Sequence, residues 1–339
     1  MKIVTFSRNI FYKDGVGNSA IYFNNFFSRF HETVMVAIDK DVKEVISIDE
    51  YINNHSEENI LFYHFSIFDQ NLEEILKLKF KFKFIYFHGI TPPELIDNQF
   101  TKNECYKGIQ QIKLLVNFDI YLFNSPLSQR QFLKNFIFSI DSKSYILPPL
   151  NLKERFTVQK NNYVNLKKKD IYNSFYLGTL SSHKNISELL DFHELFQKKI
   201  NLNIFTSDPN YLNNNLFKKY KNNKDNNFRI NYKISDQQLA NYIGKMDFFI
   251  TFSKHEGFCL PLFESIFLNK SILVKESETF KFFLPPNFKF LNKFNEFENI
   301  ENIILINSKN IQATKDYVLD KLESLNLAFE NVIKEFGII

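Results

Sequence analysis

The segment HEGFCLPLFESI, at residues 255–266, places two glutamates eight positions apart, with a glycine and a proline between them. Pro261 suits the first turn of a helix, because the N–H that proline lacks would have no helical partner there. We therefore predict a loop over 256–260 and a helix over 261–268. The loop amides would then point to one spot at a helix N-terminus, where backbone donors and the helix dipole favour a phosphate group.

The two glutamates can bracket that phosphate spot. Four residues complete the loop after Glu256: Gly257, Phe258, Cys259 and Leu260. The glycine lets the backbone approach a ligand closely. A carboxylate can accept two hydrogen bonds, which matches a vicinal diol, and a nucleotide sugar carries a diol on both sides of its diphosphate. The plainer interpretation is that Glu264 only complements the helix dipole, but the loop, the proline and the pair together favour a ligand site.

A glycine loop precedes the first helical pattern. The sequence DGVGNSA at 14–20 contains G-x-G-x-x-A, which has the form of a dinucleotide-binding fingerprint. That fingerprint requires its first glycine directly after a strand, whereas here residues 7–13 intervene. A longer loop suits the opening of a cleft between two domains, where its backbone can approach a ligand that the other domain mostly holds. The alternative is an ordinary loop in which Asn18 or Ser19 caps the helix. The predicted ligand contacts are Gly15, Gly17 and Asn18.

A histidine follows a strand in the first half of the chain. His88, in FHGITPPE at 87–94, is expected at the carboxyl edge of a parallel sheet, where α/β folds bind ligands. A lone histidine is usually structural, but this position favours a functional one. His64 ends another strand and could support the same site.

Short apolar runs alternate with helical patterns, which predicts βαβ units and parallel sheets. The predicted strands are 2–6, 33–38, 59–65, 83–89, 119–125, 174–179, 201–207, 228–234, 247–253 and 271–274. The predicted helices are 18–30, 68–79, 102–116, 186–198, 236–245, 261–268 and 314–336.

The pattern predicts an α/β protein with two halves, since 339 residues suffice for two cores. We place an N-terminal Rossmann-like domain at 1–155 and a C-terminal one at 170–313. Residues 314–339 form a terminal helix that packs back toward the first domain. The polar stretch 160–170 is predicted as a linker, and the Asn/Lys-rich stretch 210–227 as a surface excursion.

The composition excludes several classes of protein. The net charge of +4 permits contact with acidic lipid but gives no indication of nucleic-acid binding. Only Cys105 and Cys259 occur, which favours a reducing compartment. We find neither a signal peptide nor an apolar run of about 18 residues, the length that could span a bilayer. We therefore expect a cytoplasmic protein. Peripheral contact with the inner face of the membrane stays open as an alternative.

The glutamate segment resembles the E-x7-E motif of glycosyltransferase family 4, the retaining GT-B transferases. In that family the first glutamate contacts the donor sugar and the second contacts the ribose, which implies these roles for Glu256 and Glu264. The segment YLGTLSSHKNISELL at 176–190, which includes Thr179, is similar to the family's G-T-L-x-P-R-K-N stretch. That stretch implies that Lys184 meets the diphosphate. His183 stands where the family has arginine, which leaves the second cationic contact open.

Other segments resemble a bacterial polysaccharide or O-antigen branch of the family. YFHGITPPE is similar to the branch's Y-H-N-I-T-P, which implies that His88 lies beside the donor sugar. DGVGNS is similar to the G-D-x-I-G-N loop. The stretches at 121–132 and 146–150 are similar to its S-x-x-x-R-x-x-L and L-P-P-L segments.

The resemblance implies a GT-B fold, with parallel sheets of two Rossmann-like domains facing a central cleft. It implies a retaining hexosyltransferase that needs no metal or other cofactor, with His88, Lys184 and Glu256 as catalytic residues. The donor would be a UDP- or GDP-sugar, and the acceptor a glycan or lipid-linked oligosaccharide in cell-surface polysaccharide synthesis. Two alternatives stay open. One is a nucleotide-sugar epimerase or an NAD-dependent dehydrogenase on this fold, and the other is a non-catalytic subunit that binds a nucleotide or glycan.

Overall fold

A computed structural model of the chain describes residues 1–12, 14–135, 143–149, 166–208 and 227–339. The chain divides into two compact units. The first comprises Met1–Leu152 together with Lys321–Ile339, and the second comprises Lys153–Asp320. Most of the predicted linker and of the predicted surface excursion lies outside the described residues. The predicted limits at 155, 170 and 313 stay predictions.

The first unit contains a seven-stranded sheet in which every pairing is parallel. Its strands, in chain order, are β1 Ile3–Ser7, β3 Thr33–Val36, β5 Val45–Ile46, β6 Ile60–Phe65, β7 Phe82–Phe87, β8 Ile120–Phe123 and β9 Ser144–Ile146. They lie in the order β5-β3-β1-β6-β7-β8-β9. After β1 the chain adds β3 and β5 on one side of β1, and it then adds β6, β7, β8 and β9 on the other side. Two further short strands, β2 Asn9–Ile10 and β4 Asp39–Lys40, pair with each other.

The second unit contains a five-stranded parallel sheet of the same kind. Its strands are β10 Tyr172–Leu177, β11 Ile200–Thr206, β12 Phe228–Tyr232, β13 Phe248–Thr251 and β14 Ser271–Val274. They lie in the order β12-β11-β10-β13-β14, so the direction of winding reverses between β10 and β13. These two sheets confirm the predicted α/β class.

Both faces of the first sheet are covered, which explains why its strands are apolar at most positions. Along β6, Leu61, Tyr63 and Phe65 point into one core cluster, and Ile60 and Phe62 point into another. The covering helices include α1 Gly15–Phe27, α2 Ile48–Asn53, α3 Leu72–Lys77, α4 Gln99–Gln111 and α5 Pro126–Leu133. Those of the second unit are α6 Ile186–Phe196, α7 Asp236–Gly244, α8 Leu260–Phe267, α9 Glu278–Phe283 and α10 Phe297–Lys309.

The last helix, α11 Ile311–Glu335, begins in the second unit and ends in the first. Four apolar residues near the end of the chain join the core that covers Ile60 and Phe62: Phe329, Val332, Ile333 and Ile338. None of the described helices is both long enough and apolar enough to cross a membrane.

Candidate active site

The centre of the second sheet brings together two of the predicted site residues. Lys184 lies in a 3₁₀ turn, Ser182–Lys184, on the connection after β10, and Glu256 lies on the connection after β13. These strands are neighbours, and the chain winds away from them in opposite directions. The carboxyl edge at such a reversal leaves a crevice between the two connections, which is where open α/β sheets bind their ligands.

Lys184 and Glu256 form a buried ion pair in this crevice. The Nζ of Lys184 donates to both carboxylate oxygens of Glu256, at 2.8 and 2.9 Å. The side chains are 21% and 6% exposed, respectively. Burial alone would lower the pKa of Lys184, but the charge of Glu256 outweighs it and holds that pKa above its usual value. An ammonium has three donors, and the third meets no acceptor among the described residues. It is available for a ligand oxygen.

The two connections that carry this pair are bound to each other. The carbonyl of His183 accepts from the amide of Lys254 at 2.9 Å and from Oγ of Ser253 at 3.2 Å. Nδ2 of Asn185 donates to the carbonyl of Phe252 at 3.2 Å. Asn185 has a φ of 56°, in the left-handed region, which ends the turn and starts α6. These bonds fix the position of Lys184 relative to the loop after β13.

The four residues that follow Glu256 carry backbone N–H groups that donate to no acceptor among the described residues. Helix α8 starts at Leu260 with Pro261 in its first turn, one residue earlier than predicted, and Cys259 before it makes no capping hydrogen bond with its side chain. None of the amides from Gly257 to Leu260 donates a hydrogen bond within the part of the chain that the structure describes. Free amides at the positive end of a helix form an anion site.

Aromatic packing holds this loop in shape. The ring of Phe258 stacks on that of Phe263, with centroids 4.2 Å apart and planes 4° apart, and Phe283 packs perpendicular to both. The carbonyl of Glu256 accepts from Oγ1 of Thr279 at 2.7 Å. Gly257 does not have a positive φ, so the backbone conformation does not itself demand glycine there.

Both glutamates act on the buried Cys259. Burial, and then the charges of Glu256 and Glu264, raise the pKa of its thiol well above the usual value. The thiol is therefore neutral and unsuited to act as a nucleophile. Glu264 is partly exposed on the second turn of α8. Its effect on Cys259 shows that it lies near the loop that carries the free amides.

Tyr176 is a buried support of the site that the sequence did not single out. Its hydroxyl donates to the carbonyl of Thr179 at 2.7 Å, and burial and the charge of Glu256 raise its pKa well above the usual value. The chain passes over this hydroxyl at Gly178, where a Cβ atom would lie 2.9 Å from it. Thr179 itself is exposed. A tyrosine at the end of an apolar strand pattern gives no local signal for this role.

His183 does not supply a second positive charge. Burial, and then the neighbouring Lys184, lower its pKa to about 4. Its Nδ1 is buried and has no hydrogen-bond partner among the described residues. At neutral pH the imidazole is uncharged, so Lys184 provides the positive charge on this connection.

The predicted residues of the first unit lie at the carboxyl edge of the first sheet. His88 follows β7, and its backbone is held between the carbonyl of Phe65 at 2.9 Å and the side-chain amide of Asn124 at 2.9 Å. Its ring lies beside that of His64, the last residue but one of the neighbouring strand β6. Burial lowers the pKa of His88 to about 3.

The glycine loop differs from the prediction. Helix α1 begins at Gly15, earlier than the predicted residue 18, and its cap is Asp14 rather than Asn18 or Ser19. The Asp14 carboxylate accepts from the amide of Gly17 at 2.9 Å, and the amides of Gly15 and Val16 also stabilise it. Burial raises the pKa of Asp14, and these amides already have its carboxyl group as a hydrogen-bond partner. Ligand contact by Gly15, Gly17 and Asn18 stays a prediction.

The second unit thus brings together Lys184, His183, Glu256 and the loop from Gly257 to Leu260, with Glu264 one turn further on. His88 and the glycine loop belong to the first unit. Among the described residues, no group of three His, Cys, Asp or Glu side chains is arranged to hold a metal ion.

Comparison with known structures identifies the fold. Sucrose-phosphate synthase from Thermosynechococcus elongatus is 12% identical, with a TM-score of 0.66 over 99% of both chains. Anabaena HepE, solved in complex with UDP, is 12% identical, with a TM-score of 0.67 over 99% of this chain and 100% of that one. The lipopolysaccharide outer core galactosyltransferase WaaB is 13% identical, with a TM-score of 0.61 over 98% and 99%. No protein-family model and no curated protein matches the sequence.

These structures are glycosyltransferases of the GT-B fold, and this chain has that fold over nearly its whole length. The predicted fold is therefore confirmed. At 12–13% identity the likeness defines the architecture, and the chemistry has to be argued from the site itself.

Proposed function

We propose that this protein is a retaining glycosyltransferase. It transfers a hexose from a UDP- or GDP-sugar to an acceptor. The acceptor is a glycan or a lipid-linked oligosaccharide in cell-surface polysaccharide synthesis. The observation that carries the proposal is the second-unit site: free amides from Gly257 to Leu260 beside the spare donor of Lys184. This arrangement suits a diphosphate better than any other common ligand group, because it offers several donors and one positive charge.

The carboxylates define the rest of the donor. In the proposal, Glu264 binds the ribose diol and Glu256 contacts the transferred sugar, on the two sides of the diphosphate. HepE was solved with UDP, and WaaB is named as a galactosyltransferase of the lipopolysaccharide outer core. Both names fit a nucleotide-sugar donor and a cell-surface glycan acceptor.

The proposed reaction breaks the bond between the anomeric carbon and the diphosphate oxygen. The acceptor hydroxyl attacks from the same face, and its proton passes to the departing phosphate. Lys184 and the loop amides stabilise the charge that develops on the leaving group, so they take the role that a metal ion has in other transferases. We accordingly propose that no metal is needed and that EDTA leaves the rate unchanged.

A donor screen tests the function directly. UDP-, GDP- and ADP-sugars are compared by thermal shift, and the stabilising donor is then incubated with oligosaccharide and lipid-linked acceptors. We expect one donor to raise Tm and to be consumed only when an acceptor is present, with retained anomeric configuration by NMR. Epimerised donor without acceptor would favour the epimerase, saturable NADH binding would favour the dehydrogenase, and binding without turnover would favour the non-catalytic subunit.

Two variants separate the roles of the residues. Glu264→Ala should weaken nucleotide diphosphate affinity about tenfold, since a charged hydrogen bond contributes roughly 1.5–3 kcal/mol. His88→Ala should lower the transfer rate by roughly 10²-fold but change nucleotide diphosphate affinity less than about threefold, because it is proposed to contact the sugar. Unchanged affinity of the first variant would contradict the ribose role, and a normal rate of the second would make His88 structural.

A further inference from the structure

Two histidines of the first unit are joined directly through their rings. His64 is the last residue but one of β6, and His88 follows the neighbouring strand β7. Nδ1 of His64 lies 3.0 Å from Nε2 of His88. A hydrogen bond at this distance needs one proton, so one of these nitrogens carries a hydrogen and the other presents a lone pair.

The other nitrogen of His64 indicates which ring donates. His64 is 2% exposed, and its Nε2 has no hydrogen-bond partner among the residues that the structure describes. Aromatic rings surround the imidazole: Phe23 packs perpendicular to it at a centroid distance of 4.9 Å, and Tyr86 lies at 5.3 Å. In proteins a buried N–H without an acceptor is rarer than a buried lone pair without a donor. The proton of His64 is therefore favoured on Nδ1.

The consequence extends to His88. If His64 donates, Nε2 of His88 must accept, and a neutral His88 then carries its own proton on Nδ1. Both rings are neutral, because burial lowers the pKa of His88 to about 3, and burial together with His88 lowers the pKa of His64 well below its usual value. His88 is partly exposed, and within the described residues its Nδ1 makes no hydrogen bond.

We infer that His64 is a positioning residue that holds His88 in the tautomer with its proton on Nδ1, so that His88 offers a ligand a hydrogen-bond donor and not a base. The group it recognises is an oxygen acceptor, a sugar hydroxyl or a phosphate oxygen. That this ligand is the sugar donor rests on the proposed function, whereas the tautomer does not.

The tautomer can be measured without any substrate. The full-length protein is labelled with ¹⁵N in its seven histidines, and two-bond ¹H–¹⁵N spectra are recorded at pH 7. The rings are assigned by the loss of signals in His64→Phe and His88→Ala. We expect His88 to show a protonated Nδ1 and an unprotonated Nε2, and His64 a protonated Nδ1. A protonated Nε2 on His88 would overturn the proposal even if the enzyme is a transferase.

Activity then tests whether the tautomer matters. His64→Phe removes the donor and should lower kcat roughly tenfold with unchanged affinity for the nucleotide diphosphate. His64→Asn keeps a side-chain N–H near the position of Nδ1 and should restore most of the rate. Phe62→Leu, in the same strand and the same core face, is the matched control and should lower Tm without changing kcat.

A double variant separates this inference from the proposed function. If His64 acts through His88, His64→Phe/His88→Ala should be no slower than His88→Ala alone. Additive losses would mean that His64 acts only through stability, and would overturn its positioning role. Full activity of His88→Ala would reject the proposed function of His88 while leaving the measured tautomer to decide whether His64 sets it.

Discussion

A buried ammonium held by one carboxylate keeps its charge but also keeps a free donor. Lys184 shows this at the level of a single residue: Glu256 takes two of its hydrogens, and the third is available. The pair also makes each partner dependent on the other, since an unpaired charge in this crevice would have lost its water without compensation. Removing one partner and removing both should therefore have different effects.

Lys184→Met should lower the free energy of unfolding of the second unit by about 3 kcal/mol, because it leaves Glu256 buried and unpaired. Lys184→Met/Glu256→Gln should recover most of that loss but should not restore binding of a nucleotide diphosphate. Scanning calorimetry and titration calorimetry measure the two quantities. Lys254→Met changes an exposed lysine of the adjacent loop and serves as the control. Equal stability of the single and double variants would show that the pair is not coupled.

His183 offers a gain-of-function test. Because its pKa is about 4, it is neutral at pH 7, and His183→Arg would add a second charge at the proposed diphosphate site. We expect the affinity for the cognate nucleotide diphosphate to rise about tenfold, the size of one charge-assisted hydrogen bond. His183→Gln keeps a neutral donor and should stay within about threefold of the wild type. If the arginine variant binds no better than the glutamine variant, His183 does not face the diphosphate.

At the scale of elements, the sequence predicts the strands that are buried on both faces and misses the elements with weak patterns. All ten predicted strands appear within two residues of their predicted limits, because continuous apolar runs between helical patterns have few other interpretations. The short edge strands β5 and β9 carry little apolar surface and were not predicted. Helix α5 was missed for another reason. It is only eight residues long and its apolar face is short, although Ser125 and Ser128 start it with a reciprocal capping box.

The site was predictable where it depends on local chemistry. The start of α8, one residue from the predicted Pro261, and the loop before it follow from residue types alone. The contact of Lys184 with Glu256 joins residues 72 positions apart, and their proximity follows from strand order, which residue spacing does not encode. The neutral state of His183 and the support from Tyr176 depend on burial, which a single sequence does not reveal.

Two glycines of helix α1 should respond differently to the same substitution. A Cβ at Gly17 would lie 2.5 Å from the carbonyl oxygen and 2.7 Å from the amide nitrogen of Phe11, whereas a Cβ at Gly15 would meet nothing within 4 Å. Gly17→Ala should destabilise the first unit by roughly 1–3 kcal/mol, since backbone must move. Gly15→Ala should be neutral or slightly stabilising. Thermal melts of the two variants measure the difference, and equal Tm values would contradict the close approach of α1 to Phe11.

At the scale of the whole molecule, both units contain histidines that fold in the neutral form. Burial lowers the pKa of His88 in the first unit to about 3 and that of His183 in the second unit to about 4. Between these values and the unfolded value of 6.5, the unfolded chain binds more protons than the folded one. The stability that these histidines contribute is therefore fully present above about pH 6.5 and is lost as pH falls toward 4.

We accordingly expect Tm to be roughly 5 °C or more lower at pH 5 than at pH 7. His88→Gln and His183→Gln remove one ionisable group from each unit and should flatten the pH dependence of that unit. His55→Gln, which changes a histidine outside both sites, serves as the control. A Tm that is constant from pH 7 to pH 5 would show that these rings gain protons in the folded state.

The path of the last helix has a consequence for how the protein is made. A ribosome releases the chain from its amino end, so the first sheet emerges early but still lacks Phe329, Val332, Ile333 and Ile338, which belong to its core. The second unit, a single stretch from Lys153 to Asp320, can close while synthesis continues. The half that is translated first is thus completed last. Until the final turns of α11 have left the exit tunnel, that half exposes an aromatic surface that a chaperone can bind.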